Sequence, residues 1–174
     1  MNKLVMVING RGGVGKDALC AALATQFKVI NRSSVDPIKE IGSRYGWKGE
    51  KTPKARKFLA DLKQVFVEYN DLPTEYLVAQ YEAFMESDAE IFCAHIREAS
   101  EIDKFMARIP TKRITMLVRR PDPNGTVPYG NAADDQVEHY TYDHVFDNVL
   151  PLEESGEAFC ALIRSILNEE DPKA

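Results

Sequence analysis

The sequence predicts an α/β chain in which helices cover a parallel sheet, and three observations carry that reading. Leu4–Ile8 (LVMVI) is an unbroken apolar run that stops at glycines, as a strand buried on both faces does. Beyond Lys16 the apolar residues Leu19, Ala22, Leu23 and Phe27 recur at helical intervals. Short apolar runs and helical stripes then keep alternating, and strands separated by helices pair in parallel through right-handed crossovers.

The elements follow in order. The first strand is expected over Lys3–Asn9 and the first helix from Lys16. Lys28–Arg32 reads as a second strand and Val35–Tyr45 as a second helix. Thr52-Pro53 opens a long third helix, with Thr at the cap and Pro in the first turn, where a missing N–H removes no bond. Its apolar positions Ala55, Phe58, Leu59, Leu62, Phe66 and Tyr69 keep to one face. Pro73 opens a fourth helix that runs to Glu86. Ile91–His95 (IFCAH) is the third strand, Ser100–Ile109 a helix and Ile114–Val118 the fourth strand. His144–Val149 is the fifth, and Phe159, Leu162, Ile163, Ile166 and Leu167 stripe the last helix.

With 174 residues, 44% hydrophobic and 28% charged, the chain can fill one core, and 1–174 is expected to be one domain without repeats or linkers. A net charge of −5 argues against duplex nucleic acid as a partner. No apolar run has the length of a signal peptide or a membrane span, so no membrane partner is expected. Cys20, Cys93 and Cys160 lie far apart without CxxC spacing, and read as buried thiols of a reducing, cytoplasmic compartment. Two segments stand apart. Lys48–Lys57 carries five basic residues and one acid. Pro121–Asp135 is rich in Pro, Gly, Asn and Asp without periodicity, the composition and length of a lid, a binding loop or disorder, and a lid-like loop is expected over 120–137. Tyr45 and Trp47 are read as core residues. Asp134, Asp135, Glu138, His139 and His144 match no zinc spacing and read as a polar loop leading into a strand.

The stretch Asn9–Cys20 reads NGRGGVGKDALC. Gly10, Gly15 and Lys16 have the spacing of a Walker A phosphate loop, with Asp17 where Ser or Thr usually stands. Strand, glycine loop and helix are the context that motif requires. Glycines let backbone N–H groups point inward around phosphate oxygens, and the helix adds the positive end of its dipole. Lys16 supplies a mobile charge for the β and γ phosphates. The expected nucleotide-binding residues are Gly10, Arg11, Gly12, Gly13, Val14, Gly15, Lys16, Asp17 and Ala18. A plain glycine turn is the competing reading, and the spacing and the lysine argue against it. Asp17 is either an oxygen ligand for Mg²⁺, directly or through water, or a first-turn acid facing the helix dipole.

Gly-Lys-Asp in place of Gly-Lys-Ser/Thr resembles the loop of the deoxynucleoside monophosphate kinases of phage and bacterial type, shared with the animal-type phosphomevalonate kinases. Asp36-Pro37-Ile38-Lys39-Glu40 resembles the Asp-Pro-Leu-Lys segment of those kinases. Lys54-Ala55-Arg56-Lys57-Phe58-Leu59 is similar to their helical arginine before an apolar pair. His95-Ile96-Arg97-Glu98, with Glu101, is similar to their Asp-x-Arg-x-x-x-Glu segment, and Arg119 and Arg120 to the arginines that open their lid. The likeness extends from Met1 to Leu167. It implies a three-layer P-loop kinase fold, with a five-stranded parallel sheet of order 2-3-1-4-5 between helices. It also implies transfer of the γ-phosphoryl of ATP, with Mg²⁺, onto a small phosphorylated acceptor, above all a (deoxy)nucleoside monophosphate.

Under that resemblance Lys16, Asp17, Arg97, Arg119 and Arg120 are catalytic, and Asp17 is the metal ligand. Asp36, Lys39, Arg56 and Arg97 hold the acceptor, within a helical part over 34–87. Arg56, Arg97 and Arg119 or Arg120 should converge beyond the C-terminal ends of the strands. The chain departs from the pattern at His95, where an acid often closes the third strand, and in a lid segment without a basic helix. Two alternatives stay open: a nucleotide-binding regulatory module without phosphotransfer, and a kinase of a non-nucleotide phosphorylated metabolite. No Asn-Lys-x-Asp base-reading motif of a GTPase is present, and IFCAH does not end in the Asp of an assembly ATPase. A homodimer remains an open option.

Overall fold

A computed structural model of the chain describes residues 2–121 and 136–169. Its centre is β1 (Leu4–Asn9), buried along its whole length, as the unbroken apolar run predicts. The other strands are β2 (Val29–Ser33), β3 (Ile91–His95), β4 (Arg113–Arg119) and β5 (His144–Asp147). They form one sheet in the order β2-β3-β1-β4-β5, parallel throughout, so the expected strand order is the observed one. Leu4 lies opposite Ile91 of β3, and Val5 opposite Arg113 of β4.

Among the described residues six α-helices flank the sheet: α1 (Lys16–Ala24), α2 (Asp36–Arg44), α3 (Pro53–Asn70), α4 (Leu72–Glu86), α5 (Ala99–Ala107) and α6 (Leu152–Asn168). Successive side chains of a strand point to opposite faces, so β1 feeds two cores. Leu4, Met6 and Ile8 pack with Leu19 and Leu23 of α1 and with Phe159, Ile163 and Ile166 of α6. Val5 and Val7 pack with Leu77, Tyr81 and Phe84 of α4 and with Ile102 and Phe105 of α5. All three cysteines are buried free thiols. Among the described residues no helix is long and apolar enough to cross a membrane.

The start of α3 follows its sequence signal. The Thr52 hydroxyl accepts from the Ala55 N–H at 3.2 Å, and Pro53 occupies the first turn. Its apolar stripe is covered less than the periodicity implies. Ala55 is the one buried residue of the helix; Leu59, Leu62 and Phe66 are half-buried, and Phe58 and Tyr69 are 42% and 81% exposed. The reading of Tyr45 as core is corrected as well: it occupies the C-cap of α2 and is 85% exposed. Trp47 is half-buried, its indole donating to the Glu50 carbonyl at 3.2 Å. Most of the expected lid, residues 122–135, lies outside the described residues, with Asp134 and Asp135.

Candidate functional site

Because every strand runs the same way, the loops that leave their C-terminal ends gather at one edge of the sheet, where ligands of open α/β folds bind. One of these loops, residues 10–15, joins β1 to α1. At Gly10 the backbone turns at φ +150°, and an added Cβ would stand 2.4 Å from the Val118 carbonyl oxygen of β4. Only glycine lets the chain leave the sheet that close to its neighbour. Gly15 sits at φ +97° as the N-cap of α1. Val14 is buried in the core below, and Gly12 and Gly13 are exposed above it.

Two polar side chains brace the loop. Asn148, just past β5, donates from Nδ2 to the Val14 carbonyl at 2.8 Å, while its own N–H donates to the Arg119 carbonyl at 2.7 Å. Asn9, the last residue of β1, reaches from the loop to the Arg97 turn. Lys16 folds over the loop itself, its Nζ donating to the Gly10 and Arg11 carbonyls at 2.5 and 2.9 Å. The ammonium thus already stands over the concave loop that a phosphate would enter. Arg11 Nε lies 3.6 Å from Glu138 Oε1, in a short 3₁₀ turn over Val137–His139. Asp17 is exposed in the first turn of α1, and Ala18 is half-buried.

His95, in place of an acid, ends β3. Its Nε2 lies 2.7 Å from Asn31 Oδ1 and 3.8 Å from Cys20 Sγ, one helical turn beyond Lys16. A hydrogen bond from Cys93, against the opposing effect of burial and with help from His95, brings the Cys20 thiol down to about 6. The same bond and burial push Cys93 up. Among the described residues no three His, Cys, Asp or Glu side chains are grouped to hold a metal. Mg²⁺ carried by nucleotide needs no such cage, since it keeps waters and takes one or two carboxylate oxygens beside the phosphates. Asp17, exposed next to the lysine, fits that requirement.

The other predicted side chains are placed as follows. Arg97, exposed, follows β3. Glu98 and Glu101 beyond it both bind Lys63 of α3, at 2.7 and 2.9 Å. Burial and the charge of Glu98 push the Glu101 carboxyl up, with Lys63 opposing. At Glu98 burial is outweighed by Lys63, and the carboxyl is lowered. Arg56 stands two turns before Lys63 on the same helical face, exposed and without an ion pair among the described residues. Lys39 is exposed. Asp36 accepts from the Ser33 N–H at 2.7 Å and so closes the β2–α2 turn. Arg119 pairs with Asp147 of β5 at 3.0 Å, and Arg120 is exposed beside it. Lys63 therefore joins the elements carrying Arg56 and Arg97, while the Arg119 guanidinium is held on the β5 side. A cavity of about 730 Å³ opens between α5 and residues 136–141, lined by Arg97, Asp103, His139 and Tyr140 among others. Asn9, Asn148 and Tyr142 belong to this edge although no motif marks them.

No protein-family model matches the chain, and no curated protein matches its sequence. Among solved structures it is similar to the tunicamycin resistance protein of Deinococcus radiodurans, with a TM-score of 0.59 at 13% identity over 92% of this chain and 95% of that one. It is also similar to a sugar kinase from a Janibacter species, with a TM-score of 0.51 at 15% identity over 97% and 100% of the two chains. At such identities the likeness speaks for the fold. The five-stranded parallel sheet of order β2-β3-β1-β4-β5 between helices is the P-loop kinase fold.

Proposed function

We propose that the chain is an ATP-dependent phosphotransferase that moves the γ-phosphoryl of ATP onto a small acceptor already carrying a phosphate. A (deoxy)nucleoside monophosphate is the first choice. The observation that carries this reading is the loop Gly10–Gly15 at the head of α1, with the Lys16 ammonium folded over its carbonyls. Backbone donors, a helix terminus and a mobile cation are the parts that phosphoryl transfer uses, because its loose transition state is stabilised by positioning and positive charge. Asp17 is the residue that would hold Mg²⁺, whose charge offsets that of the phosphates.

Arg97 and Arg56 are assigned to the acceptor phosphate, which a guanidinium fork can grip in two bonds. Their support is the Lys63 bridge that joins α3 to the turn bearing Arg97. Asp36 and Lys39 complete that helical side, residues 34–87, and Arg119 or Arg120 faces the transferring group. His95 favours a second reading, in which nucleotide binds without transfer.

The test is a panel of nucleoside monophosphates and sugar phosphates incubated with ATP and Mg²⁺. ADP should form with at least one nucleoside monophosphate, and ATP should raise Tm. In Lys16→Ala the ATP affinity should fall by about 30-fold, the effect of one charge-assisted hydrogen bond, with the ligand-free protein still folded. Unchanged affinity in that variant rejects the site. Stabilisation by ATP without ADP from any acceptor selects the second reading.

A further inference from the structure

Asn9 closes β1 directly before the phosphate loop and is 1% exposed. A buried amide has an oxygen that accepts and two N–H groups that donate, and it is stable only when these are matched. Here each goes to a different piece of the candidate site. Oδ1 accepts from the Gly10 N–H at 2.8 Å, at the entrance of the loop. Nδ2 donates to the Arg97 carbonyl at 3.0 Å and to the Tyr142 hydroxyl at 2.8 Å. Tyr142, having accepted that hydrogen, donates its own to the Val137 carbonyl at 2.9 Å. No donor in the chain of bonds is left over.

The sheet alone does not provide this connection. Pairing between β1 and β3 ends at Ile8 and His95, so the turn carrying Arg97 lies beyond the ladder. The Asn9 amide extends that alignment past the strands. Its other arm crosses to the segment before β5 and, through Tyr142, to the turn over Val137–His139. That turn meets the loop again where Glu138 faces Arg11 at 3.6 Å. Phosphate loop, arginine turn and 3₁₀ turn thus share one buried amide, and hydrogen bonds in such low-dielectric networks act on one another.

We propose that Asn9 is a positioning residue that holds the Arg97 turn in register with the phosphate loop and, through Tyr142, passes nucleotide occupancy of the loop to residues 136–142. The inference rests on the nucleotide site proposed above. Phosphate entering the loop draws Lys16 off the Gly10 and Arg11 carbonyls and fixes Gly10, whose N–H is bonded to Asn9. The same amide then orders the Arg97 carbonyl and the Tyr142 hydroxyl together.

Hydrogen–deuterium exchange of the full chain, with and without Mg²⁺ and a non-hydrolysable ATP analogue, tests this. In the wild type the analogue should slow exchange at residues 10–19 and, by about fivefold, at 96–98 and 136–142, the factor one hydrogen bond of ordinary net strength supplies. Tyr142→Phe removes the hydroxyl, and with it the bond from Asn9 and the bond to Val137, while the Asn9 bonds to Gly10 and Arg97 stay. It should keep the effect at 10–19 and 96–98 and lose it at 136–142. Asn9→Asp keeps the acceptor for Gly10 but loses both donors, and should lose the effect at both remote segments while retaining it at 10–19. A merely structural role would speed exchange in the ligand-free variants and leave the ligand-induced difference intact. Undiminished remote protection in Tyr142→Phe overturns the coupling, as does protection confined to 10–19 in the wild type, and in both cases the nucleotide site stands. No protection at 10–19 in the wild type removes that site and this coupling with it.

Discussion

The phosphate loop and the helix α3 serve one edge of the sheet and are built in opposite ways. The loop is wedged between strands at Gly10, capped by Gly15, braced by Asn9 and Asn148 and covered by its own lysine. The 18-residue α3 has one fully buried side chain, Ala55, with Leu59, Leu62 and Phe66 half-buried, and a Lys63 bridge to Glu98 and Glu101. A loop so held has little freedom to lose when phosphate arrives. A helix with few buried contacts belongs to the part of a protein that opens at low free energy, and ordering it on binding opposes affinity. In the proposed reaction the donor side is therefore preorganised and the acceptor side adaptable.

Five changes break or sharpen that contrast. The largest effect is expected from Gly10→Ala, whose methyl would overlap the Val118 carbonyl at 2.4 Å. A loss of about 3 kcal/mol or more in denaturant unfolding, together with loss of ATP binding, is the expected result, since strain and steric overlap at one rigid point have no outlet. Lys63→Met should cost about 2 kcal/mol, because it leaves two partly buried carboxylates facing each other. Lys63 favours their charged forms, so the penalty should shrink as pH falls toward the raised Glu101 range, where a neutral carboxyl needs no cation. Limited proteolysis of this variant should cut first in α3, leaving the loop intact.

Arg97→Ala should lower kcat/KM for the acceptor by about 30-fold, roughly 2 kcal/mol, with ATP affinity unchanged. Arg56→Ala, on the looser helix, should have the smaller effect of the two. Equal losses would show that α3 holds its arginine as firmly as the turn after β3 does. The last change concerns the thiol under the loop. Cys20 is depressed from 9.0 to about 6 in the folded chain, so unfolding takes up a proton between those values and stability should rise with pH across that window. That contribution is lost as pH falls through about 6. Cys20→Ser should flatten the rise, and an equally steep pH dependence in the variant would show that another group is responsible.

What was legible in the sequence was local. Gly10, Gly15 and Lys16 announce a loop by spacing, and Thr52-Pro53 announces a helix start, because backbone conformation and capping are decided within a few residues. The strand order came through the resemblance, since periodicity tells strand from helix but not neighbour from neighbour. Asn148 could not be found that way: it acts on Val14, across most of the chain. Tyr142 lies in a run whose sequence reads as a polar loop leading into a strand, and its role is a single hydroxyl between two distant partners. The stripe on α3 correctly marked the inward face around Ala55. Periodicity does not say how much of such a face is covered, and Phe58 and Tyr69 show that its two ends are not.

The central place of β1 also sets the order in which the molecule can assemble. Its partners are Ile91–His95 and Arg113–Arg119, both far along the chain, so neither edge of this apolar strand can be satisfied by a hairpin or a near neighbour. Loop-closure entropy must be met before those pairings reward it, which makes folding slow for the chain's size. Until β4 is available LVMVI is an unpaired sticky segment, and a growing chain on the ribosome carries it throughout that wait. Yield of soluble protein should therefore depend more on chaperone supply and growth temperature than the stability of the finished fold would imply.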